Sequence, residues 1–458
     1  MRLRASSSHP PQRFEISVLL RQIIRSVRFN STWFGSMAFV DADKLNYEIF
    51  SILESKFLGF DDPKKLVFPS SSAASPRTPS GAGRVRILSI DGGDRPSNSL
   101  LAAAALTRLE SSLCLRSGDP SARIADFFDV AAGSGSGGVL AALLFTKGYD
   151  GRPLFSAADA LRLLLAESRR RIGGFYARRG LFRGIFGRSG GLFRRIFGES
   201  TLRDTVKPVL IPCYDLSTGA PFVFSRADAV EADAYDFRIR EVCAATCADA
   251  GAAAVELRSV DGRTRVAAVG GGVALANPAA VAITHVLHNR QEFPFAVGVE
   301  DLLLVSLGAG GSAPASGAAE LVRIAGEGVS DMVDQAVAMA FGQRRTSNYV
   351  RIQANGFASG NCIPRTRNSS RSMEAAEELL SQRNVESLLF GGKKISEHTN
   401  AEKLEWLAGE LIKEDERRRK CPIPTVITKH AMTPRTSSAT TITTVTTAST
   451  GSSTSPVH

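Results

Sequence analysis

The sequence predicts an α/β protein with a mostly parallel central sheet flanked by helices. Three observations carry that expectation. Apolar runs of strand length alternate with Ala- and Leu-rich stretches of helix length. The first two such runs each end in a glycine-rich turn, Asp91-Gly92-Gly93 and Gly133-Ser134-Gly135-Ser136-Gly137-Gly138. The 458-residue chain is 43% hydrophobic and 22% charged, a globular balance that excludes a fibrous or wholly disordered protein. No run of about 18 apolar residues offers a membrane-spanning helix.

Residues 1–36 are Arg-rich, bear serines and carry a net charge of +5. They read as a transit-like extension or as an upstream start ahead of a working start at Met37. Their apolar stretch, Ile16 to Leu20, is too short for a secretory signal and is broken by Arg21. In residues 37–68 an apolar stripe of Leu45, Ile49, Ile52, Leu53 and Phe57 predicts a helix. Residues 69–83 are rich in Ser, Pro, Ala and Gly and read as a linker.

The main domain is expected over 84–400. Val85–Ile90 reads as a strand entering a tight loop, 99–113 as a helix, and 127–132 as a second buried strand. A helix over 139–145 follows the Gly-rich element. Further strands are expected at 206–213, 221–224, 266–269 and Leu302–Leu307, and a helix at 279–289. Residues 401–430 form a C-terminal helix and extension, acidic early and basic at Arg417 to Lys420, as the helix dipole prefers. In 433–458, 16 of 26 residues are Ser or Thr, so the tail from 431 onward is expected to be disordered.

Three chemistries use a glycine-rich strand-to-helix junction like 133–138. A dinucleotide site fits the spacing Gly133-x-Gly135-x-x-Gly138, but Asp150 does not close a second strand as its acid should. A P-loop needs Gly-Lys-Ser/Thr, and this element has Gly137-Gly138-Val139. A nucleophile elbow needs a central serine, and the centre is Gly135.

Ser89–Gly93 (SIDGG), then AAGSGSGGVLAALLF at 131–145, then Gly270-Gly271-Gly272 running to Asn277-Pro278, together resemble the patatin-like lipid acyl hydrolases. AITHVLHNRQEFPF at 282–295, LLLVSLGAGG at 302–311 and DMVDQAVAMAFGQRRTSNYVRIQANG at 331–356 resemble the plant patatin-related group III branch, which has GxGxG at the elbow. The resemblance spans roughly residues 37–430. It implies a three-layer patatin-like fold and lipid acyl ester hydrolysis without metal, nucleotide or other cofactor.

In that family a serine attacks the acyl carbonyl, an aspartate serves as its base, and a glycine loop donates backbone N–H groups to the oxyanion. Here the nucleophile position is Gly135 and the dyad aspartate position is Gly270. The oxyanion loop keeps Gly92 and Gly93 but has Asp94 as its third member, followed by Arg95, Pro96 and Ser97. Ser134 and Ser136 are the substitute nucleophiles, and both are expected to point away from the central position. Asp91 is expected to brace the loop. His285 and His288 read as helix-surface or capping residues, and Asn277-Pro278 as the shaper of a turn. Two functions stay open: a lipid acyl hydrolase with a degenerate dyad, and an inactive patatin-fold protein that binds lipid and regulates lipid signalling or growth.

The chain's net charge of +11 is local, because residues 169–199 alone carry +8. Within them, residues 180–187 (GLFRGIFG) recur eleven residues later as GLFRRIFG. If helical, the copies share a face. Phe182, Arg183, Phe186, Phe193, Arg194, Arg195 and Phe197 are then expected at a lipid surface, anionic by preference. The alternatives are a solvated basic loop or phenylalanines packed on the domain. No nucleic-acid module is recognisable. The six cysteines, at 114, 213, 243, 247, 362 and 421, form no CxxC pair and read as thiols in a reducing compartment, with no metal site. The expected location is the cytosol or the cytoplasmic face of the plasma membrane, or a plastid if residues 1–36 are a transit peptide. Oligomeric state is left open.

Overall fold

The computed structural model describes residues 83–92, 99–173, 185–248, 254–271, 275–309, 317–353, 374, 377–388 and 391–429. The expectations for 1–36, 37–68, nearly all of the linker and the tail fall outside these residues, as do Gly93, Asp94, Arg95, Pro96, Ser97, Phe182 and Arg183.

β1 (Val85–Ile90) is buried along its whole length, as a central strand must be. It pairs in parallel with β2 (Val130–Gly133) on one side and β7 (Leu302–Leu307) on the other. β3 (Val209–Asp215) and β8 (Tyr349–Ile352) extend the parallel set outward. β4 (Ala220–Ser225), β5 (Val255–Arg258) and β6 (Arg265–Gly270) are antiparallel additions around β3, completing an eight-stranded sheet. A separate hairpin joins β9 (Arg383–Leu388) to β10 (Gly392–Thr399). The mostly parallel sheet is thus as the sequence predicts, although β5, β8 and the hairpin are additional to it.

β3 places Gly270. Its residue 210 pairs with β4 and β2, whereas its residue 213 pairs with β4 and β6. With β4 along one edge, β2 and then β6 share the other. The end of β6 therefore comes next to the turn that leaves β2.

Helices cover both faces, because strand side chains alternate between them. Leu88, Ile90, Leu303 and Val305 face one core with α1 (Leu100–Ser117), α2 (Ser136–Phe145), α3 (Ala157–Gly173), α4 (Ile185–Phe197), α5 (Ile239–Thr246) and α8 (Asn400–Lys420). Val85, Ile87, Leu302 and Leu304 face a second core with α6 (Ala279–His288) and α7 (Ala318–Phe341). α1 ends at Gly118, whose φ of 72° suits glycine. α8 begins at a capping box in which the Thr399 hydroxyl accepts from Glu402 N at 3.2 Å.

The last turns of α8 are bolted to the start of β1. Glu414, fully buried, accepts from Arg84 N at 2.6 Å. Arg418 forks onto Asp129 at 2.8 and 2.6 Å, and Asp129 also accepts from Arg86 N at 2.7 Å. Burial opposes the Asp129 charge, but Arg86 and Arg418 more than offset it and hold the carboxyl well below its ordinary value. A depressed carboxyl contributes stability above its unfolded pKa of about 4 and loses it as pH falls below that. Arg418→Met leaves Asp129 short of its main partner. We expect a loss of about 3 kcal/mol at neutral pH in chemical denaturation, with a shallower fall in stability between pH 4 and pH 2 than in the wild type.

Candidate active site at the β2–α2 turn

The turn from β2 into α2 has the shape of a nucleophile elbow. Gly135 sits at its apex with φ 55° and ψ −129°, a conformation that side-chain-bearing residues rarely adopt. Its N–H donates to Thr246 Oγ1 at 2.8 Å. Ser134 O accepts from Gly137 N at 2.9 Å and Gly138 N at 3.2 Å, which closes the first turn of α2. The loop after β1 then lies backbone against backbone on that turn. A methyl group on Gly92 would stand 2.3 Å from both Gly137 N and Ser134 O, and one on Gly137 would stand 2.3 Å from Ile90 O.

Both flanking serines are buried. Ser136 is buried, and its hydroxyl shares a 2.8 Å hydrogen bond with that of Ser99. Ser134 is fully buried, and its hydroxyl has no partner among the described residues. Gly270 does reach the elbow, since Thr246 touches both positions. Its N–H donates to Ala248 O at 2.8 Å. A Cβ there would stand 2.5 Å from Thr246 O and 2.7 Å from Ala248 O.

Asp91 braces the loop from below. Its Oδ2 accepts from Arg351 Nη2 at 2.6 Å and from Ser330 Oγ at 3.0 Å. Arg351 also donates to Ser306 Oγ at 2.7 Å. Burial alone favours the neutral guanidine, but the Asp91 charge overrides it and holds the Arg351 pKa above its ordinary value. Asn277 Oδ1 accepts from Ala279 N at 3.0 Å and so sets the start of α6. His285 is pushed down to about 4 by burial, with Lys429 adding to the effect, and lies edge-on to Phe293. Exposed His288 bonds back to Thr284 O at 3.0 Å. Neither histidine bonds an elbow residue. Thr246, Ser330 and Arg351 were not legible as site residues; the one sequence signal is a charge inside the apolar run Tyr349–Ile352.

The basic insertion departs from expectation. α4 carries most of the second repeat, but Phe193 and Phe197 are buried in the first core, their ring centroids 6.4 Å apart. They pack toward α5 and so are not available to lipid. The expected lipid contact at these two positions is corrected, because the amphipathic helix found a protein partner for its apolar side. Arg194 and Arg195 remain exposed. Phe186 falls within α4, but its side chain lies outside the described residues. Among the described residues no three His, Cys, Asp or Glu side chains are placed to hold a metal ion, no cysteine is in a disulfide, and no helix is long and apolar enough to cross a membrane.

The family model of patatin-like phospholipases matches residues 97–283, which include the elbow and Gly270. Patatin-like protein 3 of Oryza sativa subsp. indica is 56% identical over 82% of this chain and 92% of its own length. The chain belongs to the patatin-like family. Patatin-like protein 7 of Arabidopsis thaliana is 50% identical over 86% of this chain and 85% of its own. Probable inactive patatin-like protein 9 of the same plant is 40% identical over 81% and 93%. At the level of the family, the chemistry is lipid acyl ester hydrolysis and the substrates are lipids.

The close approach at Gly92 makes a sharp expectation. Gly92→Ala should cost about 3 kcal/mol by overpacking two backbone groups. Gly191→Ala, whose added methyl meets nothing within 4 Å in α4, should cost nothing or stabilise by about 1 kcal/mol. Thermal melts of the two variants beside the wild type check the contrast.

Proposed function

We propose that this patatin-like protein binds glycerolipid at the elbow without forming an acyl-serine. The observation that carries the proposal is the closure around Gly270. The aspartate of the family dyad is not merely missing, since its first side-chain carbon has two carbonyl oxygens within 2.7 Å. The other carboxylate near the elbow, Asp91, has its Oδ2 held by Arg351 and Ser330 and serves as a brace of the loop. With no side chain at 135 and no base at 270, the turn keeps the backbone geometry of the elbow and lacks the groups that cleave an ester.

A second reading, turnover by a relocated serine, is favoured by one observation: Gly135 holds the strained elbow geometry that catalysis requires. There Ser134 Oγ would attack the acyl carbonyl and release the lysolipid alcohol, and water would then free the fatty acid. Incubation of the full chain with phosphatidylcholine and galactolipid vesicles decides between them. We expect vesicle binding with no free fatty acid release above that of Ser134→Ala and Ser136→Ala. Release that Ser134→Ala abolishes, with binding kept, overturns the binding-only reading. Restoring the dyad by Gly135→Ser with Gly270→Asp is expected to produce no hydrolase and to lower the melting temperature, because Thr246 and Ala248 leave the carboxylate no room. The preference for anionic lipid and a cytoplasmic membrane face belong to the same proposal, with exposed Arg194 and Arg195 as support.

A further inference from the structure

α7 is apolar on two sides. One side supplies Val337, Ala338 and Phe341 to the second core. The other faces out. Leu321 is 69% exposed, Ile324 53%, Met332 57% and Met339 67%. Among the described side chains of α7 the most exposed are apolar, whereas Glu327, 40% exposed, is held by Arg323. From Leu321 to Met339 the stripe runs about 27 Å. On its flank Arg323 is shared by Glu320 and, at 2.7 Å, by Glu327, so the helix keeps a net negative charge that Lys393 of the neighbouring hairpin faces.

The position of this face says what it meets. Mid-helix, Ser330 donates to Asp91 at 3.0 Å, one residue before Gly92 of the oxyanion loop, and Ser330 O accepts from Asn277. One element thus carries both the exposed stripe and a brace of the elbow. Beside it, the β9–β10 hairpin is tied to Asp331 by Ser387 at 2.9 Å and by Lys393 at 3.7 Å. That hairpin exposes Ile395 together with Lys393 and Lys394. An apolar stripe bordered by lysines matches the acyl boundary of a bilayer under anionic headgroups.

We propose that the outer face of α7, with Lys393, Lys394 and Ile395 of β10, is the surface on which this protein lies on a lipid bilayer, so that lipid reaches the elbow from the membrane side. The inference rests on the lipid-binding reading above and assigns it a docking surface. It replaces the buried phenylalanines of α4 as the apolar contact.

The test uses the full chain and flotation with vesicles of phosphatidylcholine, with and without phosphatidylglycerol. Ile324→Glu/Met332→Glu and, independently, Leu321→Glu/Met339→Glu should each keep the wild-type melting transition and lower the vesicle-bound fraction about tenfold. Lys393→Gln/Lys394→Gln should weaken binding only where phosphatidylglycerol is present. Flotation of both glutamate variants at the wild-type level overturns the proposal while leaving lipid binding at the elbow intact. A wild type that floats with neither vesicle defeats the lipid-binding reading itself. A wild-type dimer that either glutamate variant converts to monomer, by sedimentation equilibrium, also overturns it and makes the face a contact between copies.

Discussion

The elbow depends on a contact in which no side chain takes part. The loop after β1 and the first turn of α2 meet through backbone atoms, and hypothetical methyl groups on Gly92 or Gly137 would stand 2.3 Å from the opposing segment. Such an approach fixes the direction of α2, the height of Gly135 above the sheet, and the position of the loop that faces it. Packing and a few hydrogen bonds, among them Ser134 N to Ile90 O at 3.2 Å, maintain it, and neither needs a serine at 135 or an aspartate at 270. Glycine at the apex even relieves it. A non-glycine residue in so unusual a conformation costs about 1–3 kcal/mol, which an active serine would have to hold in place and Gly135 does not.

The buried charges divide by end of the sheet. At the start of β1, Asp129, Glu414, Arg84 and Arg418 tie the C-terminal helix to the central strands, far from any ligand role. At the other end, Asp91, Arg351, Ser306 and Ser330 join β1, β7, β8 and α7 beneath the oxyanion loop. That second network opposes, without cancelling, the effect of burial on Asp91: desolvation raises its carboxyl above the ordinary value against the pull of the Arg351 guanidinium at 2.6 Å. Its Oδ2 is taken up by Arg351 and Ser330 in bracing the loop. The same network makes α7 a mechanical neighbour of the elbow.

Much of this was legible in the sequence, for reasons of periodicity. β7 has the predicted bounds, and β1 does too, because fully buried parallel strands write themselves as unbroken apolar runs. β5 and β10 do not, since VELR and GKKISEHT alternate or lack apolar residues and are held by pairing with the adjacent strands β6 and β9 rather than by burial. At the site, the glycines at 92, 135 and 270 were picked out by the resemblance of their surrounding motifs to the patatin-like family. Thr246 and Arg351 arrive from 111 and 260 residues away in sequence from the groups they hold, and no local pattern marks them.

The two amphipathic helices show the limit of such patterns most clearly. Periodicity reports that a helix has an apolar face, not what covers it. α4 has a repeat of Phe, Ile and Arg that suits a membrane surface equally well on paper, yet Phe193 and Phe197 are covered by the protein's own core. α7 has no aromatic repeat and a less conspicuous sequence, yet it is the helix left with apolar side chains in water after its core contacts are made. A helix apolar on both sides belongs between two apolar phases. The sheet is one of them, and the proposed bilayer contact supplies the other. The order of argument therefore runs from packing to function: only after each apolar face has been matched to a protein partner does the unmatched one acquire meaning.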